Sequence, residues 1–181
     1  IRRGVLNMGG LAEAQVSRAF EGLRSGQLDL LDAVIEGDKP INLAQIELDD
    51  DCSHIIAKRQ PAAGDLRLVL AVIKIASDLE RIGDEAKKIA KAARRLHSAE
   101  TPFVPQVGLT QAVELALELL RASLDAFARV NPDGIEELRR KDAEIDASFK
   151  GVMRQLITYM MEDPRTISSS LEVLFIAKAI E

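Results

Sequence analysis

Between Leu68 and Leu96 the apolar residues return at alternating steps of four and three: Leu68, Val72, Ile75, Leu79, Ile82, Ala86, Ile89, Ala93 and Leu96. A strand repeats every two residues and a helix every 3.6, so only a helix gathers this series on one face. The regular alternation is a heptad seam, which needs other helices to cover it. A second series, Val34, Ile41, Leu48 and Ile55, steps by seven. The core available to such seams is aliphatic: 47% of the 181 residues are apolar but only 3% are aromatic, with no Trp and one Tyr. Leu, Ile, Val and Ala in these proportions favour helix on helix, and the expected fold class is all-α.

Six helical patterns follow along the chain. The first covers residues 5–23 and ends at Ser25-Gly26; the second covers 28–59 and is interrupted at Pro40, where either Asp38 caps a fresh start or the helix kinks. The third begins after Gln60-Pro61 and carries the long seam; its end is basic, with Lys87, Lys88, Lys91, Arg94 and Arg95 placed to complement the helix dipole or, alternatively, to face an anionic surface. TPFVPQVG, residues 101–108, reads as a linker. The fourth pattern covers 107–130, Asn-Pro-Asp-Gly restarts a fifth that runs to Met161, and Glu-Asp-Pro-Arg breaks the chain before a sixth from Thr166 to Glu181.

These six fall into two sets of three. DKPIN at 38–42 parallels DAEID at 142–146, and KIASDLE at 74–80 parallels FIAKAIE at 175–181, with a Pro-containing break between them in each half. The organisation expected is two tandem three-helix bundles, residues 1–98 and 105–181. Glu181 is then the counterpart of Glu80, and the counterpart of Asp84 would fall four residues past the end, so the last helix is expected to be cut short. The chain also opens on Ile1 rather than Met, which predicts trimming there.

Several function classes drop out. A net charge of −5 speaks against a nucleic-acid binder. No apolar run approaches the ~20 residues of a membrane span, and IRRGVLNMGG has no signal-peptide core. A single cysteine, Cys52, excludes an internal disulfide and suits a reducing cytosol. No phosphate loop, dinucleotide fingerprint or nucleophile elbow is present. Cys52 and His54 point to different helix faces and cannot share a metal; His54 and His97 read as surface or hydrogen-bonded helix residues.

The acids are more informative. Glu80 and Asp84 stand four apart on one helix face, where like charges cost ~0.2–0.5 kcal/mol. Asp32/Glu36, Glu47/Asp51, Glu114/Glu118 and Asp133/Glu137 share that spacing and read as solvated faces. Glu80/Asp84 differs in flanking the seam and in having Glu181 as a repeat partner, while Asp38/Asn42 and Asp142/Asp146 offer oxygens from the neighbouring helix of each half. An all-oxygen set suits a hard cation such as Fe, Mn, Mg or Ca and disfavours structural zinc. The plainer reading is local ion pairing, with Arg81 and Lys88 neutralising Asp84 and its neighbours. No organic cofactor is expected. A di-iron carboxylate enzyme would need Glu-xx-His pairs on two helices, and the nearest match is a lone Asp51-xx-His54; a metal-free helical scaffold is the other alternative.

RQPAAGDLRLVLAVIKIASDLERIGDEAKKIAK, residues 59–91, resembles the most recognisable stretch of the PhoU family of phosphate-uptake regulators, and EDPRTISSSLEVLFIAKAIE keeps that family's Pro break and final Glu in the second half. The resemblance implies a cytoplasmic, all-α, non-enzymatic protein that forms homodimers. It implies a negative regulator of the phosphate-starvation response, linking the phosphate ABC transporter ATPase to a sensor histidine kinase. It also implies metal clusters held through acid-xxx-Asp motifs. Glu80 and Asp84 match such a motif fully, as do Asp142 and Asp146. Asp38 matches with Asn42 in place of the usual Asp, and Glu181 opens a motif whose Asp is absent.

Overall fold

The computed structural model describes residues 1–99 and 104–181. Helices α1 (Arg2–Ser25), α2 (Leu28–Glu36), α3 (Lys39–Arg59) and α4 (Ala63–His97) form the first set, and α5 (Leu109–Arg129), α6 (Ile135–Glu162) and α7 (Ile167–Ile180) the second, with a 3₁₀ turn at Pro164–Thr166 leading into α7. No strand occurs among the described residues. Residues 101–103 of the expected linker lie outside the described residues; 104–107 run without regular structure into a turn at Gly108.

The second pattern is divided. The break falls at Gly37 and Asp38 rather than at Pro40, which sits in the first turn of α3, where a missing N–H costs nothing. The heptad series runs across this break: Val34, Ile41 and Leu48 are all buried.

Helix α4 is the spine. It packs on α1, α2 and α3 along one side and on α7 along another, while α5, α6 and α7 pack on one another and α5 meets α1. Its buried stripe differs from the expected seam in one column. Val72, Leu79, Ala86 and Ala93 are buried as expected, and so are Ile89 and Leu96 of the second expected column; earlier in the helix that column, Leu68, Ile75 and Ile82, is only half-buried, and Val69, Ala76, Gly83 and Ala90 are buried in addition. This further column is also spaced by sevens. It is built of small residues, which let neighbouring helices approach, whereas Ile75 and Ile82 turn toward the second set of helices.

Two apolar clusters result. One gathers Val5, Met8 and Ala12 of α1 with Ile41 and Leu48 of α3 and the first half of α4. The other joins Ala19, Leu31 and Val34 to the second half of α4 and to Val152, Leu156, Val173 and Ile176 of α6 and α7. The two halves therefore share a core around the C-terminal part of α4. Each fully buried aliphatic side chain contributes ~1.5–3 kcal/mol. At the surface Arg95 Nε and Nη2 each donate to one carboxylate oxygen of Glu172 at 2.7 Å, bridging α4 and α7.

Candidate functional site

The break before α3 decides the geometry of the first-half acids. Asp38 holds the N-cap position, yet its side chain caps nothing. Its residue is 5% exposed, and the carboxylate turns toward α4. There Lys87 Nζ donates to Asp38 Oδ2 at 2.8 Å, and Asn42 Nδ2 makes a longer contact to the same oxygen at 3.5 Å. The other oxygen, Oδ1, is buried with no partner, as is Asn42 Oδ1. A methyl placed at Gly83 would stand 3.6 Å from Asp38 Oδ1, so this oxygen looks onto the face of α4 that carries Gly83.

Glu80 and Asp84 are half-buried on the same helix. Burial pushes the Glu80 carboxyl above its ordinary value; the charges of Asp84 and then Asp38 push it the same way, and Lys87 partly offsets them. Thus α4 and the start of α3 bring Asp38, Asn42, Glu80 and Asp84 into one electrostatic neighbourhood. Among the described residues, no three His, Cys, Asp or Glu side chains close around a common point. Lys87 stands among these acids instead, its ammonium paired with Asp38. Hydrogen bonding to Asp38 raises its own proton affinity and fixes it as an ammonium.

The second-half residues are placed differently. Asp142 and Asp146 lie exposed on α6, either side of buried Ile145. Asp142 and Glu181 line one end of a groove of about 1260 Å³, whose long walls are α4 and α5. Asp146 is not in that lining. Glu181 pairs with Lys178, which also lies 5.4 Å from the centre of the Phe149 ring. In both halves, then, an acid singled out in the sequence has a lysine as partner.

Several other basic residues of α4 make ion pairs: Lys74 with Asp78, Lys88 with Glu85 and Arg94 with Asp32, besides Arg95 with Glu172. Lys88 pairs with Glu85 rather than with Asp84. His97 Nε2 lies 2.7 Å from the Leu23 carbonyl, and His54 Nδ1 lies 3.0 Å from the Asp50 carbonyl, so each imidazole has a backbone partner. Cys52 is buried within the α3–α4 packing. Lys87 belongs to the basic run at the end of α4 and yet joins the acids of this site. Its spacing carried the signal: three residues after Asp84 and seven after Glu80 places it on their face of the helix.

The comparisons with known proteins agree with this architecture. The model of the PhoU domain matches twice, over residues 5–93 and 109–181, one match per helical set. Proteins named phosphate-specific transport system accessory protein PhoU, from Serratia marcescens and from Escherichia coli K12, are 45% and 44% identical over 182 aligned residues. The alignments span 100% of this chain and 74% and 75% of those proteins. The crystal structure of PhoU from Pseudomonas aeruginosa superposes with a TM-score of 0.93 at 38% identity, covering 99% of this chain and 86% of that one. The phosphate transport system regulatory protein PhoU from Streptococcus pneumoniae gives 0.90 at 27% identity, covering 99% and 84%. Both helical sets carry the domain and the similarity runs the length of the sequence: the chain belongs to the PhoU family.

Proposed function

We propose that this protein is a cytoplasmic regulatory adaptor that restrains the phosphate-starvation response and phosphate uptake when phosphate is plentiful. It would act as a homodimer that contacts the ATPase of a phosphate ABC transporter and a sensor histidine kinase, passing transporter state to the kinase by contact. The observation that carries this reading is whole-chain kinship with accessory proteins of phosphate-specific transport. No helix among the described residues is long and apolar enough to cross a membrane, which fits an adaptor that meets membrane partners from one side.

The acid clusters give the adaptor a means of tuning. Asp38, Asn42, Glu80 and Asp84 in the first half, and Asp142, Asp146 and Glu181 in the second, supply oxygen donors of the kind that hold iron, manganese, magnesium or calcium. The orphaned buried Oδ1 atoms of Asp38 and Asn42 support the fit of a hard cation in the first half, since buried polar atoms without partners are costly. One observation favours the metal-free scaffold instead: Lys87 already gives Asp38 an opposite charge.

A tagged full-length protein, recovered from lysate of cells grown in high and in low phosphate, tests the adaptor reading. The transporter ATPase or the sensor kinase should co-purify, in amounts that differ between the two conditions. Recovery of neither under both conditions would end it.

A further inference from the structure

Helix α7 carries only two charged residues in fourteen, Glu172 and Lys178. One side of it, with Val173, Ile176 and Ala177, is buried, while Ile167, Leu171 and Phe175 follow one another at steps of four on the exposed side. On α6, Ile157 and Met161 stand four apart and are exposed as well. Two contacts set the register of this antiparallel pair. Thr166 Oγ1 donates to the Tyr159 carbonyl at 3.1 Å, and Lys178 lies 5.4 Å from the centre of the Phe149 ring. Ile157 therefore comes level with the turn of α7 between Ile167 and Leu171, and Met161 stands beside the Pro164–Thr166 turn. Five large apolar side chains are thus exposed on one hairpin, and two of them protrude far: Met161 is 80% exposed and Phe175 60%. A grouping of this kind marks an interaction surface.

The charges around it name the partner. Residues 149–181 hold four acids, and three are neutralised: Asp163 by Arg165, Glu172 by Arg95 and Glu181 by Lys178. The cations left over are Lys150 and Arg154, seven and three residues before Ile157 and so on its side of α6, and Lys91 of α4, which lines the same groove as Phe175. None of the three has an acidic partner among the described residues; Arg154 Nε donates to the Lys150 carbonyl. Protruding apolar side chains with surplus cations beside them fit a surface that is anionic outside and apolar beneath. The chain as a whole carries −5, so the attraction is local to this face. The exposed apolar pair of α3, Leu43 and Ile46, is the opposite case, since residues 43–53 hold four acids and no Lys or Arg. We propose that Ile157, Met161, Ile167, Leu171 and Phe175, with Lys91, Lys150 and Arg154, seat the protein on an anionic lipid surface. The contact is peripheral: the apolar side chains enter the headgroup layer and no helix crosses it. This goes beyond the adaptor reading and does not depend on it.

Co-sedimentation of the purified full chain with vesicles tests this, using pure phosphatidylcholine and phosphatidylcholine mixed with phosphatidylglycerol. The mixed vesicles are expected to bind the chain at least tenfold more tightly than the neutral ones, and added salt should weaken that binding by screening exposed charges. Met161→Ser/Phe175→Ser and, separately, Lys91→Gln/Lys150→Gln/Arg154→Gln should each weaken it at least tenfold at an unchanged melting temperature, since all five side chains are exposed. Leu43→Ser/Ile46→Ser on α3 should bind as wild type does. Binding to neither kind of vesicle, or to both alike, would overturn the proposal. So would an equal loss in the α3 variant, which would make the attraction a property of any exposed apolar pair. If the vesicles capture nothing and light scattering shows a dimer that Met161→Ser/Phe175→Ser splits, the face is a contact between copies and the proposal falls. No transporter or kinase is present in these measurements, so their failure leaves the adaptor reading standing.

Discussion

Gly83 of α4 faces Ile41 of α3 so closely that a methyl on its Cα would stand 2.8 Å from Ile41 Cδ1. Ile41 is fully buried, so it cannot swing away into solvent. Gly83→Ala should therefore lose stability, by ~1–3 kcal/mol for overpacking, less up to ~1 kcal/mol of helix propensity gained by removing a glycine. Ile41→Val removes the offending carbon and should recover part of the loss in the double variant. Gly10, exposed inside α1 with nothing near its Cα, is the control: Gly10→Ala should gain about 0.5–1 kcal/mol. Urea unfolding of the four proteins measures all of these differences. A Gly83→Ala chain as stable as Gly10→Ala would show that α3 and α4 do not depend on this close approach.

The Asp38–Lys87 pair should break asymmetrically. Removing Lys87 leaves a buried carboxylate with neither oxygen paired to a cation. Removing the charge of Asp38 leaves an ammonium that can turn to water, since the two side chains are 29% and 7% exposed for Lys87 and Asp38 respectively. Lys87→Met is expected to cost ~3 kcal/mol, and Asp38→Asn ~1–2 kcal/mol. The double variant should cost less than the sum, as groups in contact do not add. Denaturant midpoints in the presence of a chelator give the cycle. A larger cost for Asp38→Asn than for Lys87→Met would reverse the assignment of which group depends on the other.

Glu80 should make stability fall as pH rises. Its carboxyl is held above the ordinary value by burial, by Asp84 and by Asp38, so the folded chain holds this proton more tightly than the unfolded chain does. A raised folded value means that the stabilising contribution is fully present below the unfolded value of 4.5 and is lost as pH climbs through the folded one. Glu80→Gln, which cannot ionise, should be more stable than wild type near neutral pH, and the gap should close below pH 4.5. The comparison is made in chelator, by unfolding at a series of pH values. A gap that is constant with pH would show that Glu80 ionises as it would in the open chain.

Much of this architecture was written in periodicity. The column at Val72, Leu79, Ala86 and Ala93 and the series Val34, Ile41 and Leu48 are all buried, because a helix must gather sevens on one face whatever surrounds it. The column at Val69, Ala76, Gly83 and Ala90 was harder to see. Small residues carry little hydrophobic signal, and their value lies in how near a neighbouring helix can come, which only the packed structure displays. The break at Gly37 was visible as a choice between Asp38 and Pro40, since both residues favour a helix start. That Asp38 forgoes its cap for Lys87, 49 residues away, is a tertiary contact that no local pattern encodes. The same holds for Asp142 and Glu181, which share a groove only because α6 and α7 fold back on each other.

Val130 is held in the left-handed region, with φ 53 and ψ 39, as the residue that ends α5. Its amide is bonded to the Phe127 carbonyl, and the Asn131 amide reaches back to Ala126, so the turn into Asn-Pro-Asp-Gly depends on this conformation. A β-branched side chain is strained there, whereas glycine adopts it freely and is the common residue at such helix ends. Val130 is 61% exposed, so little apolar burial offsets the strain. Val130→Gly should therefore stabilise the protein by ~1 kcal/mol, within the range for a residue released from a sparsely populated backbone region. Glycine's greater freedom in the unfolded chain works against this gain, so Val130→Asn, which tolerates the same φ with less added freedom, should gain at least as much. Thermal unfolding of the two variants beside wild type decides it. A loss of stability in both would mean that the Val130 side chain packs against something worth more than the strain it bears.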